Sequence, residues 1–373
     1  MTSDDQLAAR RADVDTKQKL IADLLAAAKL EAVVLLMPAH VAWFTAGLCA
    51  RGLVADSERP GVYCNGRQRW LLCSNVDTQR LFDEEIDQLG FQLKEWQWPG
   101  GRSDLLYNVT TGRTVAADRP FPNIPMVNEH LRPWLRALSA YERDRYRALG
   151  AEVAKAVEAT GRTIRAGDSE EEIAGQLGHR LLHRGIEPAA LTVTADARGE
   201  KYRRAGFTPA PVSRACVLQA TGHREGLYAT ASRCVSFGPP PEAFRLAHVL
   251  SAKLLAIYRS YTQPGAGVSA LAEAMGVLLA NTPFEFDARL AQPGYGAGRF
   301  AAEELRKGGQ DEPLADGQAV VWQPRVGPAA CADTFLVTAT GCEPITPPTN
   351  WPYKRITARG VSTDVPDLWV RGE

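Results

Sequence analysis

The stretch from residue 217 to residue 233, VLQATGHREGLYATASR, has two short apolar runs on either side of a polar GHREG centre. This pattern is typical of two strands joined by a tight turn, and it predicts a β-hairpin. Folding the hairpin about its midpoint sets Gln219 opposite Thr230, and the two-residue period of a strand brings both side chains out on one face. The sequence therefore predicts a paired polar site made of an amide and a hydroxyl.

Composition limits the classes of protein to consider. The chain has 373 residues, which favours two domains, and its 43 basic and 43 acidic residues argue against nucleic acid or an anionic membrane as a partner. Seven scattered cysteines form no Cys-x-x-Cys pair, and no run approaches the roughly 18 to 20 apolar residues that span a bilayer. We expect a cytoplasmic protein in a reducing compartment.

The order of elements predicts two kinds of domain. An amphipathic helix at 16–30 precedes a buried strand at 32–37, and further strands follow around 62–64, 70–73 and 114–117, which is an α/β pattern. A long helix at 141–168 and a capped helix after it are followed by hairpins at 217–233 and 318–337 and helices at 241–260 and 268–280. We predict an α/β domain at 1–137 and an α+β domain at 138–373.

Two long segments resemble one enzyme family. The segments KQKLIADLLAAAKLEAVVLLMPAHVAWFTAG (17–47) and LSAYERDRYRALGAEVAKAVEATGRTIRAGDSEEEIAGQL (138–177) are similar to the creatinase, aminopeptidase P and prolidase family. The resemblance runs in register along nearly the whole chain. It implies an N-terminal α/β domain followed by a C-terminal domain of the "pita-bread" fold, often in a homodimer.

The resemblance also implies where metal ligands would lie. Metallopeptidases of the family hold two divalent metals with two Asp, one His and two Glu. The corresponding positions are Gln219 and Thr230 for the Asp residues, Ala291 or, with a one-residue slip, Leu290 for the His, and Gln323 and Ala332 for the Glu residues. None of these side chains is an anionic or imidazole donor, which such metals require. We therefore expect no metal, no cofactor and no metal-dependent peptidase activity.

The vacated site still has polar candidates. Folding the second hairpin about Gly327-Pro328 sets Gln323 opposite Ala332, like the first hairpin. Arginines near this pocket would bind a carboxylate or a phosphate, although arginines are also commonly solvated or paired. Glu303 is a candidate general base or a residue at a helix start. The candidates for lining the pocket are Gln219, Thr230, Gln323, Asp333, Arg233, Arg325, Arg198, Arg203, Arg204 and Glu303.

Three functions follow from this sequence. The first is a homologue without peptidase chemistry that binds a small molecule, a peptide or a protein in the vacated pocket. The second is a metal-independent hydrolase of C–N bonds in the manner of creatinase, which needs a general acid or base in the pocket. The third, least supported by the residues, is a conventional Xaa-Pro metallopeptidase.

Overall fold

The computed structural model describes residues 3–196, 198–290 and 292–372, with the side chain of Ser3 left out. The chain forms two compact units, Met1–Glu142 and Arg143–Glu373. The division falls inside a helix that begins at Ala140. We predicted the boundary just before this helix, between residues 137 and 138.

The first unit is an α/β domain. Its elements, in chain order, are α1 (Ser3–Ala28), β1 (Ala32–Leu35), α2 (Pro38–Phe44), β2 (Gly61–Cys64), β3 (Arg69–Ser74), α3 (Thr78–Arg80), β4 (Gln92–Trp96), α4 (Arg102–Thr110), β5 (Val115–Ala117) and α5 (Asn128–Arg136). A single turn of π-helix, Leu81–Glu85, follows α3.

The buried strand β1 organises this unit. Among the described residues the sheet has the order β4-β3-β2-β1-β5, with β1 parallel to β5 and antiparallel to β2. Successive side chains of a strand point to opposite faces, so Val33 and Leu35 pack with α1 and α2, while Ala32 and Val34 pack with α4. A strand covered on both faces must be apolar throughout, as the sequence predicted.

The second unit is an α+β domain. Its helices are α6 (Ala140–Thr163), α7 (Glu170–Leu182), α8 (Arg198–Lys201), α9 (Glu242–Tyr261) and α10 (Ser269–Leu279). Its strands are β6 (Glu187–Ala195), β7 (Ala215–Arg224), β8 (Leu227–Phe237), β9 (Gly294–Ala297), β10 (Arg306–Lys307), β11 (Gln310–Asp311), β12 (Ala319–Trp322), β13 (Arg325–Val326), β14 (Ala329–Ala330), β15 (Asp333–Thr338), β16 (Gly341–Pro344), β17 (Tyr353–Ala358), β18 (Val361–Pro366) and β19 (Trp369–Arg371). A 3₁₀ turn spans Glu285–Arg289.

A curled sheet of order β6-β7-β8-β15-β12-β9 carries the candidate site. Helix α9 packs on it through a core that includes Trp322 and Phe335. The indole nitrogen of Trp322 is buried and donates to Thr262 Oγ1 at 2.7 Å, so the largest side chain of this core has no unmatched polar atom. In the described part of the chain, no helix combines the length and the apolar character needed to cross a membrane.

The boundary between α6 and α7 differs from our prediction. Helix α6 ends at Thr163, and we predicted residue 168. Gly167 has a φ of 97° and donates its N–H to Val212 O at 2.8 Å, so the chain leaves the helix early to pair with a distant segment. Helix α7 then begins with a capping box, in which the Ser169 and Glu172 side chains each accept the other residue's backbone N–H.

Candidate functional site

The first hairpin is present, but its register differs from our prediction. Strands β7 and β8 meet at a two-residue turn, Glu225-Gly226, where both φ angles are positive. The turn lies one residue further along the chain than the midpoint we used. Gln219 is therefore opposite Ser232, and the predicted pairing of Gln219 with Thr230 is wrong.

Thr230 instead belongs to a cluster of hydroxyl groups. It lies opposite Thr221, and the two Oγ1 atoms are 2.8 Å apart. The Thr230 Oγ1 is also 3.3 Å from the hydroxyl of Tyr295. From the next strand, the Thr334 Oγ1 accepts from Thr230 N and donates to Thr230 O, both at 2.8 Å. We call the side chains of Thr221, Thr230 and Tyr295 the hydroxyl cluster.

Tyr295, like Thr221 and Ser232, is a residue of this site that was not among the sequence-predicted candidates. Of the two positions expected for the family's histidine, Ala291 lies outside the described residues, and Leu290 is half exposed. Tyr295 lies on β9 opposite Val321 and points its hydroxyl at Thr230. Burial raises the pKa of the Tyr295 phenol above its usual range, against the opposite effect of its hydrogen bonds to threonine, so the phenol is a neutral group at physiological pH.

A glycine fixes the position of this tyrosine. A Cβ built at Gly294 would lie 1.9 Å from the carbonyl oxygen of Val321. Strand β9 is therefore so close to β12 at this position that any side chain would clash with the backbone, and only glycine fits. The segment Gly294-Tyr295-Gly296, with a large side chain between two glycines, was the sequence signal that could have identified Tyr295.

The second hairpin has the predicted register. Trp322 pairs with Asp333 and Arg325 pairs with Ala330, which sets Gln323 opposite Ala332 between these two pairs. Ser232 of β8 binds the same residue, because its N–H donates to Ala332 O at 2.7 Å and its Oγ accepts from Ala332 N at 2.5 Å.

These registers align four residues across the sheet. We call them the central row: Gln219, Ser232, Ala332 and Gln323. Thr221 and Thr230 are two residues away along their strands, so the hydroxyl cluster lies on the same face as the central row. The structure therefore places Gln219, Thr230, Gln323 and Ala332 on one face of the sheet, with Gln219 opposite Ser232 and Thr230 opposite Thr221.

Arg233 and Asp333 point to the other face and do not line this site. Arg233 is fully buried, and its guanidinium donates to Glu158 Oε1 at 3.0 and 3.2 Å and to Asp333 Oδ1 at 3.1 Å. Burial raises the pKa of Asp333 to about 6, against the opposite effects of Arg233 and the Thr346 hydroxyl. One guanidinium thus holds two carboxyl groups in the interior, and none of the three is available to a ligand.

Three further candidates are placed around the edges of the site. Arg198 is paired with Glu170, a fully buried carboxylate that also accepts from Ala195 N at 2.7 Å, which gives this arginine a structural partner. Arg204 is exposed. Glu303 is half buried and exchanges two backbone hydrogen bonds of 2.8 Å with Gly296, so it belongs to a strand-like bridge and not to a helix start.

The remaining two arginines lie beside the second hairpin. Arg325 is half buried on β13, two residues after Gln323 and on the same face of the strand. Arg203 is held by Asp287, whose other carboxylate oxygen accepts from Gly327 N at 2.6 Å. Asp287 therefore links Arg203 to the turn of the hairpin.

No known family profile and no curated protein matches the sequence. Solved structures do match. At a TM-score of 0.74 and 17% identity, 97% of the chain aligns with 99% of the dipeptidase PepE from Mycobacterium ulcerans. The prolidase from Pyrococcus horikoshii OT3 has a TM-score of 0.74, with 16% identity over 89% of this chain and 98% of that one.

The X-Pro aminopeptidase from Thermotoga maritima MSB8 is also similar, with a TM-score of 0.73 and 16% identity over 95% of this chain and 99% of that one. Identities this low establish the fold and not the activity. The chain therefore has the two-domain, creatinase- and prolidase-like fold of the Xaa-Pro peptidases.

Proposed function

We propose that this protein is a homologue of the Xaa-Pro peptidases that lacks metallopeptidase activity and binds a small molecule or a peptide on the face formed by the central row. The observation that carries the proposal is the hydroxyl cluster. Thr230, at a position where the resemblance implies a metal ligand, is hydrogen-bonded to the hydroxyl groups of Thr221 and Tyr295.

The donor set does not fit a pair of divalent metals. Divalent metals of this kind need several anionic oxygen or neutral imidazole donors. Four of the implied positions carry two amides, a hydroxyl and a methyl group, in Gln219, Gln323, Thr230 and Ala332, and Tyr295 adds a neutral phenol beside Thr230. Over the described ranges, no group of three or more His, Cys, Asp or Glu side chains is arranged to hold a metal ion.

The side chains of this face also lack a strong acid or base. A metal-independent hydrolase of C–N bonds requires a group that gives up or takes a proton near neutral pH. The central row and the hydroxyl cluster offer amides and hydroxyls, and the nearby Asp333 is turned away and bound by Arg233. These observations support binding over hydrolysis.

The proposal extends to the state of the protein in the cell. We propose a cytoplasmic homodimer that needs no cofactor and has no nucleic-acid or membrane partner. Light scattering on the purified protein tests the dimer, and a molecular mass of one chain at micromolar concentration would contradict it.

Metal content and peptidase activity test the proposed function together. The protein is dialysed against Mn²⁺, Co²⁺ and Zn²⁺ in turn, its metal content is measured by elemental analysis, and hydrolysis of a series of Xaa-Pro dipeptides is followed. We expect far less than one tightly bound metal per chain and no hydrolysis. One or two metals per chain, with hydrolysis that a chelator abolishes, would contradict the proposal.

A variant with restored ligands provides the positive control for metal binding. It combines Gln219→Asp, Thr230→Asp, Tyr295→His, Gln323→Glu and Ala332→Glu. We expect this variant to bind Mn²⁺ under conditions in which the natural protein does not, because it supplies four carboxylates and an imidazole on one face.

A further inference from the structure

A cavity of about 380 Å³ lies beside the β17–β18 hairpin of the second unit. Its volume is within the range of about 300 to 1,000 Å³ that is usual for small-molecule sites. Residues from the hairpin, from a proline-rich segment after β15 and from helix α9 line it, and none of them belongs to the central row or to the hydroxyl cluster. The cavity is therefore a candidate for a second binding site.

The hairpin contributes one aromatic ring and one ion pair to the wall of this cavity. Tyr353 and Arg355 are two residues apart on β17, and Asp364 lies directly opposite Arg355 on β18, so the three side chains share one face of the hairpin. The Arg355 guanidinium donates two hydrogen bonds to the Asp364 carboxylate, at 2.7 and 2.9 Å. The ring of Tyr353 is half exposed on the same face. The charged pair of this wall is thus neutral as a whole.

The proline-rich segment contributes a rigid apolar wall. Pro344, Pro347 and Pro348 line the cavity, and the ring of each proline fixes its own backbone φ angle. Ile345 and Thr346, which lie between them in the chain, are buried and anchor the segment in the core. The proline rings therefore form a fixed surface on which a flat apolar group can pack beside the Tyr353 ring.

Helix α9 contributes a positive charge that the cavity does not balance. The Arg259 guanidinium lines the cavity, and its Nη1 donates to the backbone oxygen of Ser362 at 3.3 Å. Its Nε is enclosed and has no hydrogen-bond partner. Asp364, the carboxylate that lines the cavity, is bound by Arg355 instead. With two guanidinium groups and one carboxylate, the lining has a net charge of +1, and Arg259 is the cation that remains for a ligand.

We propose that this cavity binds a planar aromatic carboxylate, whose ring packs on Tyr353 and the prolines and whose carboxylate accepts hydrogen bonds from Arg259. The fork of a guanidinium matches a carboxylate in shape and charge. A single free cation is balanced by a carboxylate, which carries one negative charge, whereas a phosphate monoester carries between one and two at neutral pH. This site goes beyond the proposed function, because it shares no residue with the central row.

The test compares an aromatic acid with analogues that lack its charge or its ring. Isothermal titration of the full chain is measured at constant ionic strength with 3-phenylpropionate, 3-phenylpropionamide, acetate and phenyl phosphate. We expect saturable binding of 3-phenylpropionate at one site per chain, at least about 10-fold tighter than binding of the amide, which loses the charge-assisted hydrogen bonds. No saturable binding of the acid, equal affinity for the amide or for acetate, or tighter binding of phenyl phosphate would overturn the assignment.

Two variants and a matched control locate the site. Arg259→Met, similar in length and uncharged, should bind 3-phenylpropionate at least about 10-fold more weakly. Arg245→Met is the control, because Arg245 lies on the same helix and is paired with Glu242 outside the cavity, and it should bind with unchanged affinity. Tyr353→Ala, at a half-exposed position that tolerates substitution, should weaken binding by about 3-fold or more, because the ring contact is lost. Unchanged affinity in Tyr353→Ala or in a folded Arg259→Met would overturn the site.

The variant with restored metal ligands separates this cavity from the central row. It leaves the lining of the cavity unchanged and adds carboxylates to the central face, where they would repel an acid. We expect this variant to bind 3-phenylpropionate as the natural protein does. A loss of binding would place the acid on the central row and overturn the cavity site, whatever the metal and peptidase assays show.

Discussion

The buried group of Arg233, Glu158 and Asp333 makes a measurable prediction about pH. Glu158 accepts from Arg233 and from the Thr349 and Asn350 backbone N–H groups. Asp333 accepts only from Arg233 and, at 2.9 Å, from the Thr346 hydroxyl, and burial raises its pKa to about 6. Asp333 is thus expected to titrate near neutral pH.

The sign of the effect follows from the two pKa values of Asp333. The value is about 6 in the folded chain, against 3.8 for an unperturbed Asp. The folded state therefore binds the Asp333 proton more tightly than the unfolded state does. The resulting stabilisation of the folded state is complete below pH 3.8 and is lost as the pH rises through about 6. Between about pH 5 and about pH 7.5, the Asp333 contribution to the unfolding free energy falls by about 1.4 kcal/mol.

Asp333→Asn removes this titration and keeps the oxygen that accepts from Arg233. Urea titrations at about pH 5 and about pH 7.5 measure the unfolding free energy of the variant minus that of the natural protein. This difference should be about 1.4 kcal/mol more positive at the higher pH. The control is Asp364→Asn, since the Arg355 ion pair lowers the Asp364 pKa and keeps it ionised at both pH values. An Asp333→Asn effect that is the same at both pH values would refute the assignment.

Three further substitutions test the elements that build the site. Ser169→Ala should cost about 1 kcal/mol in urea unfolding, because the helix loses its capping box; full stability would contradict this role. Gly294→Ala should cost about 3 kcal/mol or more, because the new Cβ would meet the carbonyl oxygen of Val321, whereas Gly175→Ala, in open space on a helix, should stabilise by about 0.5 to 1 kcal/mol. Tyr295→Phe should cost about 1 kcal/mol through the lost hydrogen bond to the adjacent threonine hydroxyl, and no change in the urea midpoint would show that this bond does not form.

Local patterns predicted several of the main elements of this fold. The apolar run of β1, the Ser169 cap and the two hairpins each have a signal that lies within a few residues. The second hairpin was placed in the right register because Gly327-Pro328 is a clear turn signal. The predicted register of the first hairpin was wrong because its turn has a positive φ at Glu225. Glutamate rarely adopts a positive φ, so the sequence does not indicate a turn at this residue.

Long-range partners account for what the sequence did not reveal. Strand alternation from Thr230 would have placed Arg233 on the opposite face, but its partner Glu158 lies 75 residues earlier in the chain. Likewise, the sequence near Arg198 and Arg203 does not indicate their ion-pair partners. These partners are Glu170 and Asp287, which the fold brings close from other parts of the chain. The sequence indicated which residue types surround the site. Tertiary contacts determine which of these side chains are paired within the protein and which remain available to a ligand.

The proposed lack of metallopeptidase activity depends on the neutral hydroxyl cluster at the centre of the site. The most direct test is a Mn²⁺ titration of the natural protein by calorimetry, with Xaa-Pro hydrolysis assayed on the same sample. We expect no saturable heat and no hydrolysis, because the cluster supplies only neutral donors. Saturable binding of about two Mn²⁺ ions per chain, together with hydrolysis, would contradict the account.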